Sequence, residues 1–128
     1  MKVILDTSVL IARHPLPPGV EAGISTISLA ELHFGVLKTQ DATERARRIV
    51  HLGRIESAFA THPLDGRVAR ALGQVQAAVS SKGGRPRART ADLVIAATAL
   101  AHEAVLFTRN YKDFKLVDDL LDVREPPA

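Results

Sequence analysis

The apolar positions of this chain change period several times, and each change marks an element. Lys2–Leu5 is a short apolar run closed by Asp6, which predicts a buried strand. Thr7 and Ser8, both N-cap residue types, lead into the apolar stretch Val9–Ala12. His14–Gly19, with three prolines and a glycine, is a loop. Ala22–Ile27 reads as a second strand stopped by Ser28, where Leu29, Leu32 and Val36, with Ala30, Phe34 and Leu37, take up helical spacing. Asp41 caps a further helix, with Glu44 three residues on and Ile49, Leu52, Ile55 and Phe59 along one side. A weaker strand pattern covers Ala60–Leu64. Asp65 then caps a helix whose stripe is Val68, Leu72, Val75 and Val79. Thr90 opens a strongly apolar helix, Ala91–His102. The strand Ala104–Phe107 follows, then a short turn to Phe114 and a last strand at Leu121–Arg124 before Pro126 and Pro127.

Strands alternating with helices predict a three-layer α/β/α arrangement around a central, mainly parallel sheet, and the length of 128 residues suits one domain over 1–128. In such sheets ligands bind at the carboxyl ends of the strands. Composition narrows the chemistry. With no cysteine, thiolate zinc sites, iron–sulfur clusters, disulfide frameworks and cysteine nucleophiles are excluded. Met1 and Lys2 run straight into the first strand, and no uncharged run approaches membrane-spanning length, so a cytoplasmic protein is expected. The net charge of +3 is unevenly placed: without Lys82, Arg85, Arg87 and Arg89 the remainder carries −1. One Gly- and Pro-containing loop, read as either solvated or phosphate-binding, therefore makes the chain basic.

Four carboxylates fall at or just after the strand ends: Asp6, Glu31, Asp92 and Asp113. Each has an ordinary explanation. Asp6 precedes a helix cap, and Glu31 sits three residues after Ser28 as in a capping box. Asp92 lies in a helix's first turn, where the dipole favours it, and Asp113 is in a surface turn. A parallel sheet nevertheless brings strand ends together, and like charges in one cleft demand a cation. Oxygen-only donors point to Mg²⁺, with Mn²⁺ as a substitute. Such an ion can activate water against a phosphodiester. Ser8, Thr108 and Asn110 are placed to orient the carboxylates or bound water.

Four blocks carry a family likeness: VILDTSVLIA at Val3–Ala12, ISTISLAELHFGV at Ile24–Val36, and two together in ADLVIAATALAHEAVLFTRNYKDF at Ala91–Phe114. In this order and spacing they resemble a PIN domain, in its compact form similar to VapC-type toxins of VapBC toxin–antitoxin pairs. The resemblance implies a Mg²⁺-dependent endoribonuclease leaving 5′-phosphate and 3′-hydroxyl ends, with Asp6, Glu31 and Asp92 in the acidic positions. The fourth position falls at Asn110 or at Asp113; Asp113 is the carboxylate, acting directly or through water, on one metal ion or two. The resemblance also implies a VapB-type antitoxin seated on the helices Ser28–Lys38 and Thr43–Phe59. A homodimer, and a heterotetramer or larger assembly with antitoxin, are expected with it. A basic antitoxin side chain is expected to reach Asp6 or Asp92.

The remaining residues divide between surface, core and substrate contacts. Arg85, Arg87, Arg89, Arg109 and Lys112 are expected to hold RNA phosphates at the rim of the cleft, where they offset the repulsion of the acidic pocket. Arg45, Arg47 and Arg48 share a helix with Glu44 and read as a solvated face. Phe34, Phe59 and Phe107 sit in apolar patterns and are expected in the core, while Tyr111 is a thin platform for a base. The five histidines show no ligand spacing and read as solvated or satisfied. A phosphomonoesterase with Asp6 as nucleophile is disfavoured because Ser8 stands where a second aspartate belongs. A dinucleotide binder lacks its glycine fingerprint. A non-catalytic RNA- or protein-binding domain is the remaining alternative.

Overall fold

The computed structural model describes residues 1–127. In chain order it contains β1 (Lys2–Leu5), α1 (Thr7–Ala12), β2 (Glu21–Ser25), α2 (Thr26–Lys38), α3 (Ala42–Ala58) and β3 (Ala60–His62). α4 (Gly66–Ser81), α5 (Thr90–Ala101), β4 (Val105–Phe107) and β5 (Val123–Arg124) complete it, with 3-10 segments at Pro86–Arg89 and Tyr111–Val117. The strands form one sheet in the order β3-β2-β1-β4-β5, and every pairing is parallel. The chain therefore builds outward from β1 in one direction and then crosses back to its other side. That reversal opens a crevice at the carboxyl end of β1, beside Asp6.

Alternation along β1 divides the core. Ile4 faces one way, with Val68 and Val75 of α4, Leu93 and Ile95 of α5, and Leu106 of β4. Val3 and Leu5 face the other, with Val9 and Leu10 of α1, Ile24, Ile55 of α3 and Phe107. Every residue from Leu93 to Ala99 is buried, so α5 is a central helix rather than an amphipathic one. Burying each large aliphatic side chain contributes about 1.5–3 kcal/mol, which fixes α5 firmly against the sheet. Caps set the ends of the outer helices. Asp65 Oδ1 accepts from the Val68 amide at 3.0 Å, and Asp41 Oδ1 accepts from Thr43 and Glu44 amides at 2.9 and 3.2 Å.

Several boundaries differ from the sequence pattern. β2 ends at Ser25, whose hydroxyl accepts from the Ile27 amide and caps α2 three residues earlier than Ser28 suggests. Ser28 is inside the helix and fully buried, so Glu31 is not part of a capping box. Thr7 and Ser8 do not cap α1 either; Asp6 is the N-cap residue, and its side chain makes no capping bond. The loop through Arg85 is partly ordered as a 3-10 turn because Pro86 presets its first φ. Phe34 is 64% exposed rather than in the core, since α2 meets the rest of the protein along Ile27, Ser28, Leu32 and Val36. Among the described residues no helix is long and apolar enough to cross a membrane.

Candidate active site

Asp6 is 5% exposed, yet no basic side chain pairs with it among the described residues. Two hydroxyls hold it instead. Ser8 Oγ and Thr108 Oγ1 donate to the same oxygen, Oδ2, at 2.7 and 2.8 Å, leaving Oδ1 free of them. Both hydroxyls are themselves positioned: Ser8 Oγ accepts from the Arg109 amide at 3.1 Å, and Thr108 Oγ1 from the Asn110 amide at 3.0 Å. The Asp6 amide donates to Phe107 O at 2.9 Å, so β1 and β4 together aim this carboxylate.

Glu31 reaches the same edge from α2. Its Oε1 lies 2.7 Å from Thr7 Oγ1, which also lies 2.9 Å from Ser28 Oγ. A hydroxyl has one proton and an ionised carboxylate only accepts, so Thr7 donates to Glu31 while Ser28 supplies the other proton of the chain. Sequence reasoning missed Thr7 in this role. The available signal was a hydroxyl residue directly after a strand-end aspartate.

Asp92, half-buried in the first turn of α5, has its pKa pushed up to about 6. Burial is the main cause; the negative charges of Asp6, Asp113 and Glu31 follow, and Arg89 opposes them. The fold has thus brought Asp6, Glu31 and Asp92, widely separated along the chain, to one cleft. Asp6, Ser8, Glu31, Asp92, Arg109 and Asn110 line one open cleft of about 570 Å³. Asp113 does not line it. Its carboxylate lies 3.9 Å from Arg89 Nη1, which also donates to the Asp113 carbonyl at 3.0 Å and ties the two 3-10 segments together.

The donor chemistry fits a hard dication: oxygen ligands only, and negative charge crowded enough to hold a carboxyl partly protonated near neutrality. No three of these carboxylates stand at chelating separation among the described residues. Asp6 and Glu31 are instead drawn onto their hydroxyl partners.

The cations are more dispersed than the sequence suggests. Arg109 lines the cleft and Arg89 stands at its side, while Arg85, Arg87 and Lys112 are exposed on or beside the 3-10 segments. Lys82, counted with the basic loop, donates to Leu116 O and Asp119 Oδ1, both at 2.7 Å. Tyr111 donates its hydroxyl to Asp118 Oδ2 at 2.9 Å. Arg48 is no solvated surface residue: it is half-buried, and its Nη1 donates to Gly35 O at 2.6 Å, clamping α3 to α2. His14, His33 and His51 find partners, as expected. His102 departs from that pattern, because its Nε2 is buried without one where the ring stacks on His62 at 4.2 Å.

Beside the acidic cleft runs a second cavity, about 490 Å³, between α1, α2 and α3. Thr7, Ile11 and Glu31 line both, so the groove opens directly onto the carboxylates.

An all-parallel five-stranded sheet with acidic side chains gathered at its topological switch defines a class of α/β protein. The model of the PIN domain matches residues 3–120, and the chain belongs to the PIN-domain family. Two curated proteins that it resembles along most of its length are named as VapC ribonucleases. Ribonuclease VapC1 of Rickettsia felis is 29% identical over 127 residues, covering 94% of this chain and 93% of its own. A chain of VapBC-5 from Mycobacterium tuberculosis, a member of the VapBC toxin–antitoxin systems, superimposes with a TM-score of 0.83 and 30% identity. That match covers 99% of this chain and 98% of the other. A chain of VapBC2 from Rickettsia felis, in a complex with a DNA fragment from its promoter, gives a TM-score of 0.80 at 25% identity. It covers 99% of this chain and all of the other.

Proposed function

We propose that this protein is a Mg²⁺-dependent endoribonuclease, with Mn²⁺ able to substitute, acting as the toxin of a VapBC-type pair. The observation that carries the reading is the convergence of Asp6, Glu31 and Asp92 on one cleft, crowded enough to raise the pKa of Asp92. A fold has little reason to crowd uncompensated carboxylates around a half-buried aspartate unless a cation completes the charge balance. Relatives of similar length named as VapC ribonucleases, in the same family, favour RNA as the substrate.

In this reading Asp6, Glu31 and Asp92 hold the ion, and Asp113 contributes directly or through water. When bound, Mg²⁺ supplies a Lewis acid for the phosphodiester and lowers the pKa of water. The chain's own residues supply the geometry. Ser8 and Thr108 fix one oxygen of Asp6 and leave the other for ligation. Thr7 holds Glu31 at the cleft side of α2. Arg109 and Asn110 receive the phosphate backbone at the rim, and Arg85, Arg87, Arg89 and Lys112 extend that path. The partner is a VapB-type antitoxin occupying the α1–α2–α3 groove. Because Glu31 and Thr7 belong to both cavities, an occupied groove places the antitoxin chain at the carboxylates, where a basic side chain blocks them.

The test is cleavage of a structured RNA by the purified chain in Mg²⁺, Mn²⁺ or EDTA, with Asp6→Asn and Asp92→Asn alongside. Activity is expected only with metal, and is expected to fall at least a hundredfold in either folded variant, the scale on which charge-stabilising groups act. Cleavage that survives EDTA refutes the metal dependence. Full activity in both variants refutes the site.

A further inference from the structure

The groove continues beyond the site. Past its lower end lies a further concave patch of about 440 Å³, lined by Arg13, Thr43, Ala46, Arg47, Val50 and Arg54. Arg13 and Arg47 line this patch and the groove alike, so the two are one continuous surface. Positions 43, 47, 50 and 54 follow helical spacing and share a face of α3. Arg13 arrives from the end of α1, in the left-handed conformation at φ 54°.

Charge on this face is unbalanced. α3 carries four arginines against Glu44 and Glu56. Glu44 is shared between Arg47 at 3.4 Å and Arg48 at 3.1 Å, and Glu56 pairs with His33. Among the described residues neither Arg13 nor Arg54 has an acidic partner. Val50, 55% exposed, lies in the patch with these cations, and Ile11, 65% exposed, lines the adjoining groove with Arg13 and Arg47. Arginines set around exposed aliphatic side chains suit neither solvent nor a phosphate backbone, which offers nothing for the aliphatic surface. They suit a polypeptide.

We propose that Arg13, Arg47 and Arg54 select the docking partner. In this assignment the surface takes an amphipathic segment whose apolar residues cover Ile11 and Val50 and whose flanking carboxylates pair with the three arginines. The proposal rests on the reading of the groove as a protein-partner site and adds the charge that partner must present. Pairs of this kind, at a rim and partly solvated, act mainly on specificity and association rate.

The test uses the full chain in EDTA with three fluorescent probes: a designed amphipathic peptide flanked by Glu, the same peptide flanked by Lys, and an oligouridylate. The Glu peptide is expected to bind about tenfold more tightly than the Lys peptide, the scale of a few exposed ion pairs. The double variant Arg13→Asn/Arg54→Gln is expected to erase that preference without changing thermal unfolding, since Asn tolerates the left-handed conformation. Equal binding of both peptides, no binding of either, or an unchanged preference in the variant overturns the proposal. So does a variant that loses oligouridylate but not peptide, which makes the patch an RNA surface.

Co-purification with the protein encoded next to this gene separates the two levels of inference. Equal pairing by wild type and double variant keeps the partner reading and overturns the arginine assignment. A wild type that discriminates between the peptides but pairs with nothing keeps the arginines and removes the partner reading.

Discussion

Asp92→Asn is expected to make this protein more stable while destroying its activity. The ionised Asp92 carboxylate is disfavoured by its own burial and by Asp6, Asp113 and Glu31, which raise its pKa from 3.8 to about 6. At about 1.36 kcal/mol per pKa unit, the ionised group costs the metal-free fold up to about 3 kcal/mol. Partial solvation of the side chain reduces the recoverable part to about 1–2 kcal/mol. The sign follows from linkage. A carboxyl whose folded pKa is raised is destabilising where it is ionised in both states, above about pH 6. That cost disappears as pH falls through about 6 toward 3.8, because the folded protein takes up the proton first. Asparagine removes the charge at every pH. The variant's advantage is therefore largest near pH 7.5 and vanishes below about pH 4. For a chain of this length 1 kcal/mol corresponds to about 4 °C in Tm, so a rise of about 4–8 °C is expected. The assay is thermal and urea unfolding of both proteins in EDTA across pH 4–8, with RNA cleavage measured in parallel. A variant no more stable than wild type at pH 7.5, or a difference independent of pH, refutes the crowded-carboxylate account.

Two further outcomes follow from buried contacts. Thr108→Val keeps the side-chain shape but leaves Asp6 Oδ2 and the Asn110 amide each one partner short; a loss of about 1–2 kcal/mol in urea unfolding is expected, with activity reduced at least tenfold. Unchanged activity in the folded variant would remove Thr108 from the positioning of Asp6. Gly23→Ala would set a Cβ 2.6 Å from His62 Nε2 and 3.3 Å from Ala60 O, at a cost of about 1–3 kcal/mol. Adding His62→Ala should recover most of that loss, and a double variant no more stable than Gly23→Ala would point to backbone strain instead.

Much of the site was legible because strand-end carboxylates in a parallel sheet can converge only at one edge. Asp6 closes an unambiguous apolar run, and Asp92 opens the most apolar helix in the chain. The misreadings share a cause. Ser28 resembled a cap because local pattern records residue type and spacing, whereas the bond from its hydroxyl to Thr7 spans 21 residues. Phe34 resembled core because helical periodicity does not say how much of a helix its neighbours cover. Lys82 belonged to a basic run, yet its partner Asp119 lies 37 residues away.

By itself, then, the order of residues determined the elements, the parallel sheet and which carboxylates could meet, since these follow from period, caps and strand-end placement. Only the tertiary structure decided their state. The pKa of Asp92, the paired hydroxyls on Asp6, the Thr7 hold on Glu31 and the groove shared with α3 all depend on distances between distant segments. Electrostatic energy and hydrogen bonding vary with those distances, and no local pattern carries them.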